Sequence, residues 1–582
     1  MLRTFIQHRV RSTQSLDGFW DFTTQETTNK PRLPKAYARR IHVPSCWETL
    51  PGMETYRGQA WLRTSFDGVP GHASRIVFAG VSHTAKVYVD GKAAGSHYDA
   101  FTPWSVLSPN AQDTGHELSL LVDNSFSDQS SLHIPNDYYT YGGITRPVEL
   151  QHVPEVFIER VHATPALTPR TGQWILEVSI RLRNWSKSDL LRQVTVTVGD
   201  LVQDLGLITV PAGAARQITR KLTVPNVEAW SPDNPRLYEL TTELYHDDAV
   251  VDDLIERIGF RTVAVKGKQI LLNGQPIRMR GYNRHEDHPN FGCAIPLPQM
   301  VQDLEIMRDL GCNYIRTSHY PNDQRFLDLC DEMGFLVWEE SHARTVDLQH
   351  PKFREQIEGS TREMVDWHYN HPSIIMWGCL NECETRTPEG RTEYAWLIKL
   401  FHQLDSSRPI TYASMFHEQD ICFHLADIVS VNIYTGWYKM NLDDVKPRLD
   451  RFIKWLDTDK KSGGKGKPLI ISEFGGGAIP GYTSPTRCPW SEEYLSDMLE
   501  HELSVYLNHP RVVGALIWQF CDVRVTPEGN WWRQRPRTMN NKGTVNQFRQ
   551  PKMCYAAVKR QMLAAQAKDA RPTSRKTSSK KR

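Results

Sequence analysis

The sequence predicts two β-sandwiches followed by a large β/α barrel, and three observations carry that reading. The chain has 582 residues, which at about 150 residues per domain suggests about four domains, or three if one is a barrel. Short runs with partial apolar–polar alternation fill the stretch up to residue 262. From residue 263 the rhythm becomes strand then helix, in about eight units over about 300 residues, the pattern of a β/α barrel.

The first module spans 1–150. WDFT, AWLRTSF, SRIVFAG, AKVYVDG and HELSLLVDN are short strand candidates punctuated by Gly, Pro, Asp and Asn at intervals suited to a sandwich. Trp20, Trp47, Trp61 and Trp104 are too costly to expose and are expected in its core or rim. A smaller sandwich follows over 151–262, in VFIERVHATPAL, GQWILEVSIRLRN, LRQVTVTVGD, ARQITRKLTVP, RLYELTTELYHDD and IERIGFRTVAV. It gathers no chemically active side chains and reads as a spacer that positions its neighbours. In 263–564, IRMRGYNRH precedes PLPQMVQDLEIMRDLG, NYIRTSH precedes NDQRFLDLCDEMG, and the alternation runs on to VVGALIWQF. The last stretch, 565–582, mixes Ala, Lys, Ser, Thr and Arg without periodicity and is expected to be a disordered basic tail.

Composition narrows the partners. Apolar residues at 40% and charged residues at 23% fit neither a disordered nor a membrane protein, and no 18-residue apolar run offers a transmembrane span. The opening MLRTFIQHRV RSTQSLDGFW lacks the apolar stretch of a secretion signal, so a cytoplasmic protein is expected. The net charge is +2, yet six positive charges lie between Arg571 and Arg582, leaving a body of −4. A nucleic-acid partner is therefore not expected. The ten cysteines form no CxxC pair, and Cys379 and Cys383 are the closest two. They are expected to be packed thiols, with no metal and no structural disulfide.

Polar residues gather at the C-terminal ends of the candidate barrel strands: Asn283 to Glu286 after IRMRG, Ser318 and His319 after NYIRT, Asn381 and Glu382 after SIIMWGCL, Asn432 and Tyr434 after IVSV, Glu473 after PLIIS, and Asp522 after VVGALIWQF. Six such groups on one rim make a pocket. Two carboxylates among them, Glu382 and Glu473, suit glycosidic cleavage, in which one acid protonates the leaving oxygen and another places negative charge at the anomeric carbon. Asn381, beside Glu382, can donate to a substrate hydroxyl. The alternative is that both glutamates are rim residues bridging to Arg or Lys.

The motifs LDGFWDF (16–22), NDYYTYGGITRPV (136–148), RIGFR (257–261), LNGQPIRMRGYNRHEDHP (272–289), NYIRTSHYPND (313–323), FLVWEE (335–340), HPSIIMWGCLNE (371–382), VNIYTGWY (431–438), PLIISEFGG (468–476), GALIWQFCD (514–522) and NNKG (540–543) resemble, in order, glycoside hydrolase family two, and within it the β-glucuronidases. The resemblance implies a jelly-roll-like first domain, an immunoglobulin-like second domain and a catalytic TIM barrel. It also implies a retaining exo-β-glucuronidase without cofactor, acting on small-molecule or oligosaccharide β-glucuronides, with no membrane partner and a homo-oligomeric assembly.

Carried over by motif, Glu382 is the acid/base and Glu473 the nucleophile. Asp137 binds sugar hydroxyls from the first domain. Asn432, Tyr434 and Tyr438 surround the nucleophile and sugar, with Tyr434 on Glu473. His285 and His319 are rim histidines, and Trp518 is an apolar platform. Asn540 and Lys542 hold the sugar carboxylate by a charge-assisted bond. An arginine from WWRQRPRTMNNKG assists, Arg535 or Arg537, and Arg537 is carried as the candidate; Asp522 is expected to support its neighbours. The loop after Glu340, SHARTVDLQHPKF, lacks the long insertion of some gut-associated members, which implies an open mouth. The readings set beside this are a β-galacturonidase, a β-galactosidase, and a non-catalytic carbohydrate-binding protein.

Overall fold

The computed structural model describes residues 1–109, 114–459, 461–529 and 531–570. Of the expected basic tail, residues 571–582 lie outside the described residues, whereas 565–569 close a helix, Cys554–Asp569. Its sequence is rich in Ala, with Lys and Gln, all strong helix formers, and Val558, Met562 and Ala565 are buried against the barrel.

Two sheets make the first sandwich. A six-stranded sheet contains the strands Gly18–Gln25, Gln59–Phe66 and His116–Asp123, and a four-stranded sheet contains Ala73–Phe78 and Val148–Val153. Alternate residues point into the space between them, which is why Trp20 and Phe22 of one strand are both buried while Phe19 is exposed. Trp20, Trp47, Trp61 and Trp104 are all buried, each stabilising the fold by about 1.5–3 kcal/mol or more for its apolar surface. In the second sandwich a three-stranded sheet faces a four-stranded one. Its strand Trp174–Asn184 alternates between buried and half-buried residues almost without break, as a strand with one solvated face should.

A short three-stranded sheet, Val263–Lys266, Gln269–Leu272 and Gln275–Pro276, precedes the barrel, whose first strand begins only at Met279. Eight parallel strands then close on themselves: Met279–Asn283, Tyr314–Thr317, Leu336–Glu340, Ile374–Asn381, Ile410–Ser414, Val429–Asn432, Leu469–Phe474 and Val512–Ile517. Close packing demands glycine where first and second strands meet: a Cβ on Gly281 would lie 1.6 Å from the Tyr314 carbonyl oxygen. The helix Gln324–Met333 starts on Asp323, whose side chain accepts from the Arg325 amide, and stops at Gly334 in the left-handed conformation, φ 77°. No helix among the described residues is long and apolar enough to cross a membrane.

The first sandwich docks on the C-terminal rim of the barrel. Arg146 donates to Glu286 at 2.8 Å and to the Pro321 carbonyl at 2.7 Å, and Phe101 stacks on Tyr320 with centroids 3.9 Å apart. That docking carries the loop holding Asp137 across the mouth of the barrel.

Candidate active site

The rim of the barrel and the Asp137 loop enclose a cavity of about 570 Å³ whose lining includes Glu382, Glu473, Asp137, Trp518 and Lys542. The two glutamates come from strand ends. Glu382 follows the fourth strand in a left-handed backbone conformation, φ 51°, a costly arrangement for a non-glycine residue; its amide is held by the Ala413 carbonyl at 2.9 Å. Glu473 is the penultimate residue of the seventh strand.

Their surroundings differ. Glu473 accepts from Arg316 Nη1 at 2.9 Å through one oxygen and from the Tyr434 hydroxyl at 2.6 Å through the other. Burial and the charge of Glu382 push its carboxyl up to about 7, against the pull of Arg316 and the Tyr434 hydroxyl. Burial and the charge of Glu473 also raise the Tyr434 phenol well above its ordinary value, which keeps it a donor. Glu382 accepts from Asn432 Nδ2 at 2.9 Å and lies 3.7 Å from Arg344. Asn432 is itself fixed by Ser472, whose hydroxyl donates to it at 2.7 Å. Asn381 accepts from Arg316 at 2.8 Å, while its buried Nδ2 has no hydrogen-bond partner among the described residues.

Arg316 joins these pieces. It is fully buried and pairs with both Glu340 and Glu473 at 2.9 Å while donating to Asn283 and Asn381. A buried guanidinium is tolerable only when anions surround it, and removing one partner of such a pair costs about 3–5 kcal/mol. The side chains that compete to neutralise Glu473 therefore also fix its position.

Beside Tyr434 the same cavity carries a cationic patch. Lys542 is buried, donates to the Tyr438 hydroxyl at 2.7 Å, and rests over the rings of Tyr434 and Tyr438 at 4.3 and 4.5 Å. Burial draws its ammonium below the ordinary lysine value, and Tyr438 opposes that. Tyr438 is 56% exposed, but its hydroxyl lies between Lys542 and Arg535. Burial opposes its ionisation, yet the two cations outweigh this and lower its value. Asn540 donates to Asp137 at 3.2 Å, and its Oδ1 is buried without a partner among the described residues. Asp137 also faces Arg535 at 2.8 Å and Arg344 at 3.1 Å. Although burial opposes its charge, these two arginines hold it well below the ordinary carboxylate range.

Most of the residues singled out from sequence meet here. Glu382, Glu473, Asp137, Asn432, Tyr434, Tyr438, Trp518 and Lys542 line the cavity, and Asn381 and Asn540 touch its lining residues. His285 and His319 sit beside Trp518, with ring centroids 5.4 and 4.9 Å from it. Burial lowers both imidazoles, His285 to about 3, so both are neutral. Arg537 is a correction: it is exposed, in a left-handed turn at φ 61°, and Arg535, two residues earlier, lies in the cavity wall instead. Asp522 accepts from Lys552 at 2.7 Å and from the Gly543 amide at 2.8 Å, bracing the segment that carries Lys542. The sequence reading missed Arg316, Glu340 and Arg344. An arginine inside the apolar strand NYIRT was a usable signal, since it had to be paired; Arg344 lies in an irregular loop and offered none.

Two carboxylates, hydrogen-bonded amides and a tryptophan lining one cavity at the C-terminal rim of a TIM barrel are the equipment of a glycoside hydrolase. Residues 263–566 match the glycosyl hydrolases family 2 TIM barrel domain and residues 156–261 match glycosyl hydrolases family 2. The chain belongs to glycosyl hydrolase family 2. It is similar to a GH2 β-galacturonidase from Eisenbergiella tayi solved with bound galacturonate, at 43% identity and a TM-score of 0.91 over 97% of this chain and 99% of that one. A Bacteroides uniformis β-glucuronidase aligns at 27% identity and a TM-score of 0.82, over 94% of this chain and 69% of the other. The β-glucuronidase of Streptococcus agalactiae is 27% identical over 95% of this chain and 97% of its own.

Proposed function

We propose that the chain is a retaining exo-acting β-uronidase that takes a terminal galacturonide in preference to its C4 epimer, glucuronide. The observation that carries the uronidase reading is the shared cavity of Glu382, Glu473 and Lys542: an acid pair for the glycosidic bond and a buried ammonium for the sugar's own carboxylate. The preference for galacturonide rests on the 43% likeness along nearly the whole chain, against 23–30% for the glucuronidases. It replaces the glucuronide expected from motifs alone. Those motifs cover the acid group and the chemistry, which both sugars share. Glucuronidase remains the second reading, favoured by curated relatives that carry that name at 25–30% identity.

In the first step Glu473 attacks the anomeric carbon while Glu382 gives its proton to the departing oxygen, and the C–O bond to the leaving group breaks as the ester forms. The reactive form has one proton on the pair, on Glu382, with Glu473 ionised against Arg316 and Tyr434. Once Glu473 is esterified its charge is gone, and Glu382 is free to act as base on the water that hydrolyses the intermediate. Lys542, with Asn540 and Arg535 beside it, meets the sugar carboxylate. The exposed Met415 and Met440 on the rim give the leaving group adaptable apolar contacts, consistent with a tolerant aglycone side.

The test is a panel of chromogenic β-galacturonide, β-glucuronide and β-galactoside, with the anomer of the first-formed sugar followed by NMR. The expected order of kcat/KM is galacturonide, glucuronide, then galactoside, with the β anomer released first. Preference for the neutral galactoside refutes the uronidase reading, and initial α product refutes retention.

A further inference from the structure

Outside the sugar site, the interface between the first sandwich and the barrel buries Asp99, His133 and His342 together, one candidate ligand atom from each within 4.8 Å of the other two. We propose that these three residues form a binding site for a transition-metal dication of the zinc type, clamping the first sandwich to the barrel beside the active site. The mixed imidazole and carboxylate set is the donor chemistry of Zn²⁺ and its neighbours, not of Mg²⁺ or Ca²⁺.

The hydrogen bonds leave two of the three donor atoms over, while the third, His133 Nε2, accepts a long bond of 3.3 Å from the Ala100 amide, which an ion on that nitrogen would displace. His342 Nδ1 and Asp99 Oδ2 are buried and have no hydrogen-bond partner among the described residues; such lone pairs are costly to leave unmet. The second nitrogen of each histidine is held by a tyrosine: His342 Nε2 lies 3.3 Å from the Tyr138 hydroxyl and His133 Nδ1 lies 3.1 Å from that of Tyr98. A partner on the far nitrogen is what orients and sets the tautomer of a metal-binding imidazole. Asp99 takes a left-handed backbone, φ 138°, and its other oxygen accepts from the Phe101 amide at 2.9 Å. The buried hydroxyl of Ser360 neighbours Asp99 and offers a further oxygen.

The placement gives the site a purpose. His133 is four residues before Asp137 and His342 is two before Arg344, and Asp137 and Arg344 pair at 3.1 Å in the sugar cavity. An ion at this point would pin both loops to the end of the strand leading to Asp99. The alternative occupant is a small water cluster, and the test separates the two.

The full-length protein is stripped with a chelator, dialysed, and incubated with excess zinc chloride or, as a visible probe, cobalt chloride. Bound metal is counted by plasma mass spectrometry after gel filtration, and melting is followed by calorimetry. The proposal predicts one tightly held equivalent, a ligand-field absorption band with cobalt, and a higher Tm. The near-isosteric Asp99→Asn and the truncated His342→Ala should each weaken binding by more than the about 10–100-fold that loss of an outer partner costs. If His342→Ala does not fold, Asp99→Asn together with the cobalt spectrum of the unaltered protein decides the matter. Absence of a bound equivalent in the unaltered protein, or an equivalent retained at full affinity by Asp99→Asn, overturns the proposal.

Discussion

Replacing Lys542 with Met tests how the sugar acid is read. The substitution keeps the length and apolar stem of the side chain, and Met suits the aromatic surroundings of Tyr434, Trp437 and Tyr438. Folding should therefore be little affected. What is lost is the ammonium. Taking one partner from a buried, hydrogen-bonded charge pair costs about 2–5 kcal/mol, which at about 1.4 kcal/mol per factor of ten is about 30-fold to several thousand-fold. Arg535 and Asn540 stay beside the sugar carboxylate and soften the loss, so the lower part of that range applies: about 30–300-fold in kcat/KM on the uronide. On the neutral β-galactoside, which has no carboxylate to leave unpaired, the variant should do no worse than the parent. The assay is initial-rate kinetics on both substrates, with calorimetry to show that the Tm is retained. An equal loss on both substrates refutes the assignment of Lys542 to the carboxylate.

Glu473→Ala should lower kcat by on the order of 10⁴-fold or more and still bind the product sugar in calorimetric titration; substantial residual turnover would place the nucleophile elsewhere. In Glu382→Gln the charge that helps hold Glu473 up at about 7 is gone. Since Glu473 must be ionised to attack, the acid limb of the burst rate on a dinitrophenyl uronide, whose leaving group needs no proton, should move to lower pH; an unmoved limb would show that the two carboxylates do not interact. Arg344→Ala removes the guanidinium between Asp137 at 3.1 Å and Glu382 at 3.7 Å. It should cut kcat/KM by about 10–100-fold, the effect of about 1.5–3 kcal/mol for a charged hydrogen bond, and change the galacturonide-to-glucuronide ratio. A constant ratio would remove this side of the pocket from epimer selection.

The parts legible in sequence were those written as local pattern. Alternation in runs such as WILEVSIRLRN marked sandwich strands, and the repeating strand–helix units marked the barrel. Glu382 and Glu473 stood out because each ends a long apolar strand. Lys542 was legible only through its resemblance to a family motif; by itself NNKG is a turn. What stayed hidden depends on side chains that meet across great sequence distance. Arg316 reaches Glu473, 157 residues away, and Arg535 reaches Asp137, 398 residues away, so no window along the chain contains either pair. The choice between Arg535 and Arg537 turned on two left-handed residues in a 3₁₀ turn, Arg537 and Thr538, which composition does not encode. The helix end at Asp569 was missed because a surface helix of Ala, Lys and Gln has little apolar periodicity to announce it.

The most direct measurement is peptide mapping by mass spectrometry after treatment with a covalent inactivator shaped like a uronic acid, beside its neutral hexose analogue. A single adduct on Glu473, formed by the acidic reagent and not by the neutral one, is the predicted result. An adduct on another residue, or faster labelling by the neutral reagent, contradicts the account.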